Sequence, residues 1–195
     1  MNRLALSFAA LGLMAAAVPP AYGESYVIDK SHAFVGFEID HLGFSTTIGR
    51  FADYDARIEA DWAALARSQL DVTIRTASID TGWAERDAHL RSPDFFNAEA
   101  FPTMRFVSRA IEETGEGKAR IVGDLTLLGV TRPLVLDAVL VKRGPHPMDP
   151  NKEVAGVKAS GRLQRSAWGM DKYVPAVGDE VVLRIEAELN RAPKE

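Results

Sequence analysis

The sequence predicts an all-β protein, a mostly antiparallel sheet closed on itself as a sandwich or a barrel. Three observations carry this. The segment Val181-Val182-Leu183-Arg184-Ile185-Glu186-Ala187-Glu188-Leu189 places apolar residues at odd positions and Arg184, Glu186 and Glu188 between them. Side chains alternate across a strand, so this strand has one dry and one wet face. The alternation recurs in about eight segments, joined mostly by short turns, as in an antiparallel meander. Sheets of this kind must hide their dry faces against each other.

The first segment stands apart from that fold. Arg3 is a short basic region, Leu4 to Val18 is an apolar run, and Ala21-Tyr22-Gly23 is a small-x-small cleavage site. The run is too short for a membrane anchor and Pro19-Pro20 ends it, so residues 1–23 read as a signal peptide. Residues 24–195 then form a single domain. The chain has no cysteine and a formal charge of −4 without a basic block. Lipid attachment, thiol chemistry and nucleic-acid binding are therefore disfavoured, and the fold relies on its core rather than on disulfides.

The elements follow in order. His32 to His41 puts Ala33, Val35, Phe37 and Ile39 on one face. Thr46 to Ala60 is a long irregular strand, expected to bend near Gly49. Asp61 caps one or two helical turns to Arg67. Gln69 to Thr76 sets Leu70, Val72 and Ile74 against Asp71, Thr73 and Arg75. Met104 to Glu113 and Lys118 to Leu128 make a hairpin around Gly115-Glu116-Gly117. Leu134 to Lys142, a Pro-rich loop from Gly144 to Asn151, Val154 to Gln164 and Asp179 to Asn190 complete the chain. One interruption is helical. Trp83 to Arg91 does not alternate, and Ser92-Pro93 resembles a cap that starts a second short helix. A helical insertion over residues 82–97 most simply lies across one end of a barrel.

The inner faces raise the question of function. Val154 to Gln164 has a dry face of Ala155, Val157, Ala159, Gly161 and Leu163, and Ala119, Gly123 and Ala138 lie on neighbouring segments. An eight-stranded barrel is just wide enough to be filled by large side chains or to hold one small ligand. Small inner residues leave room, although they also serve the taper of a filled barrel, and the alternation alone leaves both open.

Catalytic patterns are poor. The chain has no G-x-S-x-G, H-E-x-x-H or phosphate loop. His32 and His41 have opposite parity on one strand, which separates them as metal ligands. Asp29, Ser31 and His32 are close in sequence, a weak triad pattern more consistent with a structural role. No catalytic residue and no metal ligand is assigned.

Several segments resemble the YceI-like family of exported bacterial proteins. His32-Ala33-Phe34-Val35-Gly36-Phe37 with His41-Leu42-Gly43-Phe44-Ser45 resembles its opening signature. Ser78-Ile79-Asp80-Thr81-Gly82, with Arg86 to Phe96, resembles the central one. Gly123 to Pro133, Arg165-Ser166-Ala167-Trp168-Gly169-Met170 and Gly178-Asp179-Glu180-Val181 complete it, in order over essentially the whole mature chain. Ala167-Trp168 and Arg132 depart from the family pattern.

The resemblance implies an extended lipocalin-like antiparallel barrel in the periplasm that holds a long isoprenoid, either a prenyl phosphate or an isoprenoid quinone, for transport, storage or scavenging. Alternatives are sequestration of exogenous hydrophobic molecules and an enzyme acting on a lipid head group, the latter disfavoured. It implies no cofactor beyond the lipid ligand and allows a homodimer. At about 0.8 kcal/mol per buried CH₂, a forty-carbon chain gains roughly 30 kcal/mol gross. That exceeds the practical ceiling of about 20 kcal/mol for non-covalent binding, so ordering of the chain must offset much of it.

The expected tunnel lining is Val35, Phe37, Ile39, Leu70, Val72, Ile74, Phe106, Ala155, Val157, Ala159, Gly161, Leu183 and Ile185. Trp83, Phe95 and Phe96, pointing inward, would roof one end together with Trp168. Arg86, Asp87, His89, Arg91 and Asp94 read first as a bonded roof surface. Arg91 is the best candidate for an anionic head group, since Arg pairs phosphate bidentately.

Overall fold

The computed structural model describes residues 23–193, so the predicted leader lies outside the described residues but for Gly23. Ten strands and one helix follow: β1 (Glu24–His41), β2 (Ser45–Phe51), β3 (Tyr54–Ala60), β4 (Gln69–Arg75), β5 (Ile79–Asp80), α1 (Ala84–Arg91), β6 (Thr103–Gly115), β7 (Lys118–Leu127), β8 (Val130–His146), β9 (Asp149–Gln164) and β10 (Val177–Arg191). Eight of them close an antiparallel ring in the order β1-β3-β4-β6-β7-β8-β9-β10, with β10 pairing back on β1. The sandwich is thereby excluded and the barrel established.

β2 and β5 are the two extra strands. β1 is long enough to serve two neighbours on one side, β3 along Glu24–Tyr26 and β2 along Val35–His41. The expected bend near Gly49 occurs instead at Ala52-Asp53. There Ala52 N–H donates to the Ser78 carbonyl (3.1 Å) and Arg75 N–H to the Asp53 carbonyl (2.9 Å), so the chain after β4 captures the break. Gly49 instead makes room for an aromatic ring, since Phe37 lies over it, 2.4 Å from where a Cβ would stand. β2 thus leaves the ring of strands and pairs with β5 rather than β4.

Two further expectations are corrected. The Pro-rich loop is the tip of a long hairpin, because β8 and β9 run on to a register-shifted pair His146–Asp149. The segment after α1 is a series of turns, not a second helix. Phe96 N–H reaches back to the Leu90 carbonyl, Asn97 N–H to that of Ser92, and Asn97 takes a positive φ of 43°. Asp61 does cap a turn, accepting from the N–H groups of Ala63 and Ala64, but only Leu65–Arg67 follow as a 3₁₀ turn.

The core is split into two clusters. The roof cluster packs Phe51, Ile79, Phe95, Met104, Phe106, Leu125, Trp168 and Met170 below the α1 segment. The distal cluster packs Tyr26, Ala60, Ala155, Ala187 and Leu189 at the other end.

Candidate functional site

The strand registers line up a row of inward-facing residues that belong to neither cluster. One row runs Val35–Ile185–Ala159–Ala138–Ala119 across β1, β10, β9, β8 and β7. Val72 on β4 pairs with Ala56 and Phe106 on its two sides. Val35, Ile185, Ala159, Ala138, Ala119 and Val72 belong to neither buried cluster, and each keeps part of its surface accessible although it points into the barrel. Three alanines stand on adjacent strands in this row, so its wall is built of small side chains.

Above this row the barrel is packed. Phe37, Leu183, Leu70 and Ile74 lie against the roof cluster, and Phe106 is inside it. Gly161 is no opening, because the Leu136 side chain lies over it, with Cδ2 only 2.7 Å from the position of a Cβ. The Phe106 ring covers Gly123 in the same way, at 2.4 Å. Ile39 sits beyond the roof cluster, where β1 pairs with β2 and β10. Below the row, Val157 packs on the distal cluster and Ala155 is fully buried in it. Of the sequence-derived lining, Val35, Val72, Ala159 and Ile185 lie outside both packed clusters, as do Ile39 and Gly161. Ala119 and Ala138 in the row were visible in the sequence only as small residues of uncertain purpose.

The roof is held by bonds within the protein. Asp87 is buried and accepts from Thr81 N–H (2.9 Å) and the Thr81 hydroxyl (2.5 Å). Arg86 donates to the Thr81 hydroxyl and carbonyl, both at 2.7 Å. Asp94 bridges His89 and Lys172, each at 3.2 Å, and these hydrogen bonds hold its carboxyl below the usual range. Arg91 donates to the carbonyls of Ala77 (2.9 Å) and Ile79 (3.2 Å). Its guanidinium ties α1 to the end of the sheet.

The aromatic residues divide. Phe95 and Trp168 are buried, Phe96 meets Phe51 edge-on at 5.5 Å, and the Trp168 indole N–H donates to the Leu125 carbonyl at 3.1 Å. Trp83 does not point inward. It precedes the first turn of α1 in an extended conformation and is 58% exposed, with Arg86 over its ring. Sequence could not fix its direction, since α1 has no apolar stripe to set its rotation.

A separate cleft of about 880 Å³ lies at the distal rim, lined by Arg143, Asp149, Lys152, Glu153, Arg191 and Pro193 among others. Its arginines are paired internally. Arg191 bonds Glu24 (2.7 Å) and Glu153 (2.9 Å), and Arg143 approaches Glu153 (3.4 Å) over the Trp62 ring.

The Asp29, Ser31 and His32 pattern does not form a relay. The Ser31 hydroxyl (3.1 Å) and Asp29 Oδ2 (3.3 Å) both approach Nδ1 of His32. A triad needs the two ring nitrogens to face different partners.

A closed antiparallel barrel with these extra strands and one short helix matches known proteins along nearly its full length. The model of the YceI-like domain covers residues 26–189. The chain belongs to the YceI-like family. It is 39% identical to protein YceI of Escherichia coli O157:H7 over 187 residues, 95% of each chain. The solved YceI protein of Campylobacter jejuni is 36% identical, with a TM-score of 0.72 over 85% of this chain and 96% of that one. A polyisoprenoid-binding domain from Saccharophagus degradans shares the fold of this YceI-like barrel at 13% identity, with a TM-score of 0.62 over 87% and 99% of the two chains.

Proposed function

We propose that the protein is an exported carrier that holds a long isoprenoid chain in the barrel. The observation that carries this reading is the row of small and aliphatic inward-facing residues in a closed barrel, Val35, Ile185, Ala159, Ala138 and Ala119. Such a wall suits a hydrocarbon chain, whose gain on burial needs no hydrogen bond. The Saccharophagus domain, which shares the fold, is a polyisoprenoid-binding domain. A binding role rather than catalysis is supported by the roof, where Arg86, Asp87, His89, Arg91 and Asp94 all bond within the protein. The periplasm is the compartment that residues 1–23 predict, and transport, storage or scavenging is the role there.

The test is native mass spectrometry of the mature protein after gentle purification, followed by solvent extraction. A retained prenyl phosphate or isoprenoid quinone supports the carrier. A barrel that comes out empty and takes up neither added lipid refutes it. Recovery of the protein in the periplasmic fraction with Glu24 as its first residue supports the export reading, and recovery of uncleaved chain in the cytoplasm refutes it.

A further inference from the structure

We propose that Asp29, His32, Glu188 and Asn190 form a binding site for a divalent transition-metal ion of the zinc class, on the outer wall where β1 meets β10. These are the two strands that close the ring. The pairing of β1 with β10 shifts register between Ile28 and Ala33, so residues 29–32 leave the regular ladder. That excursion brings Asp29 and His32, three residues apart, beside Glu188. One potential ligand atom from each of the three lies within 4.8 Å of the other two. His32 Nδ1 is already 3.3 Å from Asp29 Oδ2, while Asp29 Oδ1 accepts from Ser31 N–H and the Ser31 hydroxyl. Small side-chain movements around an ion would complete three bonds of about 2.0–2.2 Å.

Asn190 is the independent observation. Its amide lies against Asp29 and hydrogen-bonds to it. Its Oδ1 has less than 1 Å² of exposed surface and no hydrogen-bond partner, the one buried side-chain atom in that state among the described residues. A buried amide oxygen without a donor is uncommon in folded proteins and calls for an explanation. The oxygen and nitrogen of such an amide exchange places on a half-turn of the group. Against a bare carboxylate the N–H₂ must face Asp29, which strands the oxygen. With a cation held by Asp29, the oxygen faces the ion and becomes its fourth ligand.

The donor set selects the ion class. One imidazole nitrogen with carboxylate and amide oxygens suits zinc and its neighbours, whereas calcium takes six or more oxygens and magnesium keeps several waters. The two carboxylates neutralise the ion, and the ligands come from both sides of the closing seam. An ion here fastens β1 to β10 and stabilises the folded barrel by mass action. The site is separate from the inner row, so it stands or falls independently of the ligand carried there.

The test is titration of the chelator-treated mature protein with zinc sulfate, read by calorimetry and by thermal unfolding. One zinc ion per chain, a saturable rise in Tm, and at least about tenfold weaker binding in His32→Gln and Glu188→Gln are expected. The Tm of both variants without metal should equal that of wild type. Cobalt(II) should give a visible absorption band that His32→Gln removes. The proposal is overturned by no saturable binding up to about 1 mM zinc, the scale of very weak association. It is equally overturned by zinc binding that survives both substitutions, or by calcium or magnesium binding as tightly as zinc.

Discussion

Replacing Ala159 with Trp tests the proposed hollow interior directly. Ala159 stands between Ile185 and Ala138 in the inner row and keeps part of its surface accessible. An indole there enters the space and displaces about one isoprene unit, roughly five carbons. At about 0.8 kcal/mol per buried carbon this removes about 4 kcal/mol of ligand burial. By the rule of about 1.4 kcal/mol per tenfold, affinity falls by about a thousandfold. Stability responds in the opposite sense to a filled core, where an inserted ring costs about 1–3 kcal/mol through forced rotamers. Here the cost should stay below about 1 kcal/mol. The control is Val139→Trp, one residue along β8 from Ala138 and exposed on the outer face, which should leave binding unchanged. Binding of a labelled long-chain prenyl phosphate is measured by fluorescence titration, and stability by urea unfolding. Wild-type affinity in Ala159→Trp, or destabilisation of more than about 1 kcal/mol, would refute the hollow interior.

Other substitutions separate packing from exposure and bonding. Phe95→Ala should cost about 3–5 kcal/mol because the ring is buried in the roof cluster, whereas Trp83→Ala should change stability by less than about 0.5 kcal/mol; chemical denaturation distinguishes the two. Arg91→Ala leaves the carbonyls of Ala77 and Ile79 without these donors and should cost about 1–3 kcal/mol, while lowering affinity for a prenyl phosphate and a quinone by the same factor. A loss confined to the phosphate would support Arg91 as a head-group ligand. Arg105 beside Asp71 and the His89–Lys172 pair beside Asp94 hold those carboxyls below their usual values. A depressed folded value contributes stability above the unfolded value of about 4 and loses it as pH falls through the folded value, so thermal stability should decline below about pH 4. Asp71→Asn should flatten that decline, and an unchanged acid profile would contradict the assignment.

Most of the wall was legible because alternation is local. Val181 to Leu189 and Gln69 to Thr76 identify their inner faces from neighbouring residues alone, and both lie in strands with that parity. What failed was set by distant partners. The break at Ala52-Asp53 depends on Ser78 and Arg75 reaching it, and no local signal at Gly49 or Ala52 encodes this. Pro145 and Pro150 read as a loop, yet the hairpin continues through them by shifting register. Arg91 has the chemistry of a phosphate ligand, and only the fold supplies the two carbonyls that engage it. Glu188 and Asn190 lie beside Asp29 and His32 only because the barrel closes, so sequence spacing could not reveal that cluster.

The small inner residues support the carrier reading through where they lie. If alanine and glycine served the taper of a solid barrel, they would gather at its narrowing ends and large side chains would meet in the middle. The distribution along the barrel differs. Tyr26 and Leu189 pack at the distal end, Phe51, Phe95, Phe106 and Trp168 at the roof end, and Ala119, Ala138 and Ala159 pair side by side outside both clusters. Where glycine does serve packing, at Gly49, Gly123 and Gly161, a Phe or Leu side chain from the neighbouring strand covers it. The alanine row keeps part of its surface accessible on inward-facing positions. Close packing is the rule in protein interiors, and forgoing it at the centre sacrifices dispersion contacts that larger residues would make. Aromatics at the roof end and a row of alanines along the wall are the composition expected of the carrier we propose.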